Sequence, residues 1–591
     1  MMVRVETSRF PLYICRMFFR RYRAELLIAA VALAIAACWW PIRMRFPFDD
    51  TYITFRYAAN LAHGFGIVWN PGGAHTEGYT NFLLVLLLAP FSALGWELAA
   101  VSQVIGVIAV AISAIAIFRI IVSTTASESA GVNRRNLVLH FGWFAVALFL
   151  LDSYTWLNAF SGLETSLFTM WLLLVILAVQ RSHWWLAFSC ATLATLTRPE
   201  GGLLGFIIVL VFFLFRNAAT EDGTPRRLTT VLYPFLVAFV FPLLVYAIWK
   251  WAYFGNLFPN SFYVKVANAK YPGSGVLPGF GTLRHGFKGV WYLIVLAVPG
   301  LALAVTNKAN APSRDRARAL RRIAIPILWL VLLTGFYLFS HLIQAEYERF
   351  NNSLDAMLTV FIGILGSIYV GTGRSIPRWF QGSGAVVLAA IVCFHVWSSL
   401  VPRGGMGYIE RDSEYLSRYT EVAKVLGMIP HHEHITLAWG DAGRLPYLSE
   451  MRHIDPIGLN TNAIAHAHSA DEVIRYILHA RPDLLVIPLL LQSSTRDSCR
   501  AIIPLGDGLI GRAYAPLAEQ ALQAGYKPIV LVPQTVYDLD FLADTTSRYY
   551  SEIERTLCDR IGKDSDFLPP AMCIRPARLV STSPLMYEAA K

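Results

Sequence analysis

Two adjacent carboxylates, Asp49 and Asp50, follow the first long apolar segment by a few residues and open the stretch FDDTYITFRYAANLAHG, which reads as a helix. A charged side chain at the centre of a bilayer costs at least about 2.5–3.5 kcal/mol, so a carboxylate pair beside such a segment calls for a use. Asp50 is placed to N-cap a helix that runs to His63 and is closed by Gly64. The backbone dipole helps keep carboxylates at that position ionised. A cap needs one carboxylate, so the second argues that the pair does more than cap. Tyr52, Arg56, Asn60 and His63 form a polar stripe in line with Asp49, beside an apolar stripe of Ile53, Tyr57 and Leu61. That pattern predicts an interfacial helix with its polar face turned to water or to a cavity.

Further polar clusters interrupt the apolar sequence. GGAHTEGYTN supplies His75, Glu77, Tyr79 and Asn81, and NAFSGLETS supplies Glu164. TLTRPEGG places Arg198 and Glu200 in a tight connection, YFGNLFPNSFYVK supplies Asn256, Asn260, Tyr263 and Lys265, and HLIQAEYERFNNS supplies Glu346, Tyr347 and Arg349. Any one of these has a structural explanation, since Arg and Glu satisfy each other and Asn and Tyr favour interfaces. Several on one face outline a site. Arg56, Arg198, Lys265 and Arg349 are the candidates for holding a phosphate, for which arginine's fork is better shaped than a lysine. Tyr52, Tyr79 and Tyr263 are candidates to face a sugar. A divalent cation at the aspartate pair remains an alternative, weakened because hard cations want more oxygens than two diverging carboxylates supply. The chain has no Walker A sequence, HExxH, GxSxG or paired CxxC, so ATP-driven transport and zinc proteolysis are unsupported. Transfer of a sugar from a lipid-linked phosphate fits: a basic group stabilises the departing phosphate while an aspartate takes the acceptor's proton.

The elements that must position these residues are apolar helices. Of 591 residues 55% are hydrophobic and 15% charged, the balance of a polytopic α-helical membrane protein. Runs long enough to cross fall near 24–41, 98–122, 137–152, 163–180, 183–198, 200–215, 231–251, 290–306, 323–341, 353–372 and 384–401, giving about eleven spans. The segment 81–95 is short, contains Pro90, and reads as interfacial. With that parity the basic loops (the N-terminal arginines, Arg134–Arg135, 216–227, 307–322) collect on one side. The expectation is a bacterial inner-membrane protein with a cytoplasmic N-terminus and long loops 42–97 and 252–289 outside. The net charge of +11 is a topology signal; nothing in its distribution suggests nucleic acid. After residue 401 short apolar runs alternate with helical stretches, which predicts a soluble extracytoplasmic α/β domain over 402–591 after a membrane module over 1–401. There GDAG reads as turn geometry, HHEH at 431–434 as a solvated turn in preference to a metal site, and Cys558–Cys573 as a candidate disulfide.

DDTYITFRYAANLAHGFGIVWNPGG with EGYTNFL resembles the first outer loop of the cell-wall terminal β-(1→2)-arabinofuranosyltransferases (AftB-like), members of the GT-C class that uses polyprenyl-phosphate sugars. SGLETSLF, TRPEG, YFGNLFPNSFYVK and GDAGRLPYLS with HIDPIGLN resemble that family in the same order. The resemblance implies a GT-C transmembrane module with interfacial helices in the first outer loop and an outer-face active site. It implies an inverting pentosyl transfer from a donor such as decaprenyl-phosphate arabinose to a cell-envelope glycan, with membrane lipid as the other partner. It also implies that one of the paired aspartates is the general base; Asp49 is taken as base and Asp50 as its partner or cap. His75 and Glu77 fall where the family's EGYTN element flanks the site. The stretch 342–352 lacks a GGD-type run found in many relatives, which leaves a hexose or aminoarabinose donor as an alternative. A lipid-linked sugar flippase is the alternative outside enzymes; such proteins often carry inverted repeats, and none is evident here.

Overall fold

A computed structural model describes residues 22–43, 47–123, 132–216, 227–264, 280, 283–284, 290–295, 313–339, 349–371, 378–400, 419–489, 509–532 and 538–561. Apolar helices build the first two thirds. They are α1 (Arg23–Arg43), α2 (Thr51–Ala62), α3 (Phe82–Ala93), α4 (Leu98–Val122), α5 (Val132–Leu151), α6 (Ser153–Phe160), α7 (Thr165–Gln180), α8 (Trp184–Thr197), α9 (Gly202–Phe215), α10 (Thr229–Phe254), α11 (Ser313–Leu338), α12 (Asn352–Gly371) and α13 (Arg378–Leu400). Among the described residues four helices are long and apolar enough to cross a membrane, and the bent pair α5–α6 makes a fifth. Six apolar helices are shorter. The architecture is that of a multi-pass helical membrane protein. Of the expected spans, 290–306 is described only over its first six residues.

Local chemistry explains the irregular places. Asp152 breaks the α5–α6 run: its carboxylate accepts from the Tyr154 N–H (2.9 Å) as an N-cap, and the two helices diverge by 54°. The stretch 153–162 is thus largely a buried helix. In α10 a π-helical turn spans Leu236–Val240, between Pro234 and Pro242, whose missing N–H and bulky rings disturb the regular ladder. α3 has 12 residues, about 18 Å of helix against a core of about 30 Å, too short to cross.

The tail carries a five-stranded mixed sheet, order β2-β1-β3-β5-β4, from β1 (Thr436–Ala438), β2 (Arg452–Ile454), β3 (Leu484–Leu489), β4 (Tyr526–Val532) and β5 (Asp538–Asp544). β1 runs parallel to β2 and β3, and β5 is antiparallel to β3 and β4. Alternation along β3 sends Leu484 and Val486 into one core and Leu485 and Ile487 into another, so helices cover both faces. The apolar stretch Lys527–Val532 makes up nearly all of β4, and Asp538 and Leu539 open β5.

Candidate active site

The first loop wraps its helix α2 between two neighbours, and the two aspartates before it face different ones. Asp50 occupies the N-cap position in a helical conformation, yet its side chain makes no capping bond. It meets Arg349 instead, Oδ2 to Nη1 at 3.2 Å, both largely buried. The expected cap is therefore corrected: the guanidinium is a stronger partner than a backbone N–H. Asp50 lines a cavity of about 500 Å³ between the helical bundle and the tail. Asp49 does not line it. Its Oδ1 accepts from the Arg444 N–H (2.8 Å), and a Cβ on Gly443 would collide with its carboxylate and backbone oxygen. Desolvation, and then the like charge of Asp441, push the Asp49 carboxyl up to about 7 against the pull of Arg444.

The cavity wall is a chain of paired charges. Thr54 and Asn81 exchange hydrogen bonds, and Asn81 Nδ2 donates to Glu164 Oε2 (2.9 Å). Glu164 and Glu200 lie 3.7 and 2.7 Å from the Arg198 guanidinium, and the Tyr337 hydroxyl donates to Glu200 (2.9 Å). Arg198 is also stacked near the rings of Phe168 and Phe350. Two carboxylates thus neutralise Arg198. Arg349, with a carboxylate only at Asp50, keeps its buried Nε without a hydrogen-bond partner among the described residues. The Tyr79 hydroxyl, on the same cavity, is likewise buried without one. Leu203, Phe336 and Phe350 supply apolar lining.

Other residues from the sequence reading lie elsewhere. Arg56 is buried, but no phosphate site surrounds it: its guanidinium donates to the carbonyls of Trp69 (2.8 Å), Pro446 (2.6 Å) and Met451 (2.7 Å) and to Asn70 Oδ1 (3.0 Å), and lies over the Trp69 ring. Burial lowers it to about 10, still charged at neutral pH. Those backbone carbonyls take the place of water, so the polar stripe of α2 docks protein. The expectation of a polar face turned to water or a cavity fails for Arg56 and Asn60; His63 is exposed. Tyr52 packs on Tyr447 beneath the Arg444 guanidinium, away from the cavity. His75 is exposed and stacked on Tyr253 at 3.9 Å. Glu77 pairs with Lys250 of α10 at 2.8 Å, just behind the lining residues Gly78 and Tyr79. Tyr263 packs on His466. Lys265, Glu346 and Tyr347 lie outside the described residues, as does Cys573.

Several contributors went unread in the sequence: Arg444, Asp441, Lys250, Tyr337 and Leu459. Their signal is present in part, since Asp441, Arg444 and Leu459 lie in GDAGRLPYLS and HIDPIGLN, two of the stretches that carry the family resemblance. Arg444 reaches from the tail to the Pro47 carbonyl (2.7 Å) and is held within the tail by Thr420 (2.6 Å). His453, in the same docking surface, is held neutral: burial and Arg56 bring it down to about 3. Nδ1 then accepts from Trp69 Nε1 (3.2 Å) and Nε2 donates to the Trp439 carbonyl (2.8 Å). The histidines of 431–434 form an exposed turn, and no group of three potential metal ligands occurs among the described residues.

Residues 409–552 match a family model described as a domain of unknown function (DUF8728). No curated protein matches the chain. Among solved structures, ArnT from Cupriavidus metallidurans bound to undecaprenyl phosphate aligns with a TM-score of 0.49 at 13% identity, over 89% of this chain and 99% of that one. The Archaeoglobus fulgidus oligosaccharyltransferase in complex with Zn and sulfate aligns with a TM-score of 0.47 at 13% identity, over 90% of this chain and 76% of that one. ArnT from Cupriavidus metallidurans in the apo state reaches 0.50 at 13% identity, over 89% and 98%. The chain has the fold of apo ArnT, a likeness of backbone and not of sequence.

Proposed function

We propose that the protein is a GT-C membrane glycosyltransferase that moves a sugar from a polyprenyl-phosphate donor to a cell-envelope glycan on the extracytoplasmic face. The observation that carries this reading is the Asp50–Arg349 pair on a cavity that also exposes apolar helix residues such as Leu203 and Phe336. A prenyl chain can lie against Leu203 and Phe336 while its phosphate meets a buried cation. Arg349 holds the phosphate better than Arg198 does, because Arg198 is already matched by two carboxylates. The acceptor hydroxyl attacks the anomeric carbon as the carbon–oxygen bond to the phosphate breaks, and its proton passes to Asp50. The polyprenyl phosphate leaves as the anion, and a single displacement inverts the anomeric carbon. Asp50, not Asp49, is the base in this scheme. The buried Tyr79 hydroxyl, without a hydrogen-bond partner among the described residues, is placed to bond a sugar oxygen.

The sequence resemblance favours arabinofuranose as the sugar, over a hexose or aminoarabinose. Membranes containing the protein should transfer radiolabelled arabinose from decaprenyl-phosphate arabinose, and a deletion strain should lose one terminal pentose from its surface glycans by mass analysis. Unchanged glycans together with no transfer from that donor would remove the pentose. Retention of every terminal sugar while a lipid-linked sugar accumulates in the cytoplasmic leaflet would favour a flippase.

A further inference from the structure

The tail closes part of the cavity through one braced turn. The buried Asp455 carboxylate accepts from the N–H groups of Ile457 (2.8 Å) and Asn460 (2.9 Å), and Thr461 Oγ1 accepts from the Asp455 N–H (2.9 Å). Gly458 takes φ +93° inside it, a conformation open to glycine. The turn presents two neighbours in opposite roles. Asn460 Oδ1 accepts from the Tyr57 hydroxyl (3.1 Å) and lies so close to Gly78 that a Cβ there would collide with it. Leu459 lines the cavity, and it is the one tail residue that does so among the described residues. Just downstream, Asn256 donates to Asn462 (3.4 Å) and the Tyr263 ring packs on His466. The segment 455–466 is thus tied to the first loop at one end and to the 255–263 loop at the other. Those two loops are themselves joined by the Asn260 N–H donating to the Glu77 carbonyl (2.9 Å).

We infer that Leu459 is a specificity-determining residue: it is the apolar wall against which the acceptor glycan is placed. The inference rests on the reading of this cavity as a sugar-transfer site. Among the lining residues, Phe336 is exposed and Leu203 partly so on the apolar helices, and the prenyl carrier approaches from that side. A glycan end is water-soluble and has no route through the span side; it enters beneath the tail. Leucine offers no hydrogen bond, so its contribution is volume and contact with the C–H face of a sugar ring. The bracing by Asp455 fixes where that volume sits.

The test uses the purified full-length protein with two acceptors, an unbranched and a branched octyl arabinofuranoside, and measures undecaprenyl phosphate binding separately. Leu459→Trp should raise KM for the branched acceptor at least about tenfold more than for the unbranched one. Leu459→Ala should narrow the difference between the two. Undecaprenyl phosphate binding, measured well below the Tm of each variant, should stay as in the unsubstituted protein; Tm itself should fall in both, because Leu459 is packed in an apolar cluster. Equal acceptor preference in all three proteins overturns the inference, and so does a loss of undecaprenyl phosphate binding in Leu459→Trp, which would put the wall on the donor side. A protein that binds both probes yet transfers no sugar sinks the transferase reading instead. The wall is then judged by glycoside affinity in the same three proteins, with the same pattern expected and equal affinities overturning it.

Discussion

Asp49 and Asp50 are adjacent and chemically identical, yet they belong to different regions. Asp50 stands on the cavity side of the first loop, in a network of paired charges where Arg349 Nε and the Tyr79 hydroxyl have no hydrogen-bond partner among the described residues. Asp49 stands on the tail side, where Arg444, Gly443 and Asp441 surround it. The same division separates the arginines. Arg349 meets a carboxylate on the cavity, whereas Arg56 is solvated by carbonyls of the first loop and the tail. The lesson is that membrane-edge polar residues serve two ends, chemistry and the joining of domains, and residue type alone does not sort them. What sorts them is whether a neighbour's donors and acceptors are used up.

The largest expected effect tests the aspartates directly. Asp50→Asn should lower sugar transfer by about 10²–10⁴-fold with Tm unchanged, while Asp49→Asn should retain transfer within about tenfold. The reverse order would restore Asp49 as the base and collapse the comparison. Next come the arginines, read by calorimetry beside activity. Arg56→Ala strips four hydrogen bonds from a buried cation and leaves carbonyls bare, so it should destabilise the protein by about 3–5 kcal/mol. Arg349→Ala should cost activity and little stability. Similar Tm losses in both would mean that the cavity charges are structural too. The smallest effect is a pH dependence. The folded state raises Asp49 from its ordinary 3.8 to about 7, so it binds a proton that the unfolded chain has released. Stability from this group is fully present below the unfolded value and is lost as pH rises to about 7. The advantage of Asp49→Asn over the unsubstituted protein in Tm should therefore grow from pH 4 to 7 and then level off. Parallel curves would mean that Asp49 is ionised throughout.

The legible features were those with a local cause. Apolar runs announced helices, the FDD stretch announced the start of α2, and Gly64, at φ +82°, closes it as its lack of a side chain predicts. Alternating runs in the tail announced strands. The tail partners of Arg56 and Asp49 could not be read, because they lie nearly 400 residues downstream in segments whose own spacing does not announce a docking surface. Helical periodicity put Arg56 on a polar stripe, but periodicity does not say whether water, phosphate or carbonyl oxygen will meet that stripe. The strand β2 escaped because three residues are too few to show alternation. The helix α6 escaped because its polar start, Asp152–Ser153, signals a loop as readily as a cap.

The reach from Asp49 to Arg444 spans 395 positions of sequence. At a synthesis rate of about 5–20 residues per second, the early loop leaves the ribosome roughly 20–80 s before the segment that will hold it. Throughout that interval Arg56 lacks the Pro446 and Met451 carbonyls and must stay hydrated, so α2 waits at the water boundary during biogenesis. A nascent chain halted ahead of Arg444 would carry every helix of the bundle and still expose its first loop to proteases.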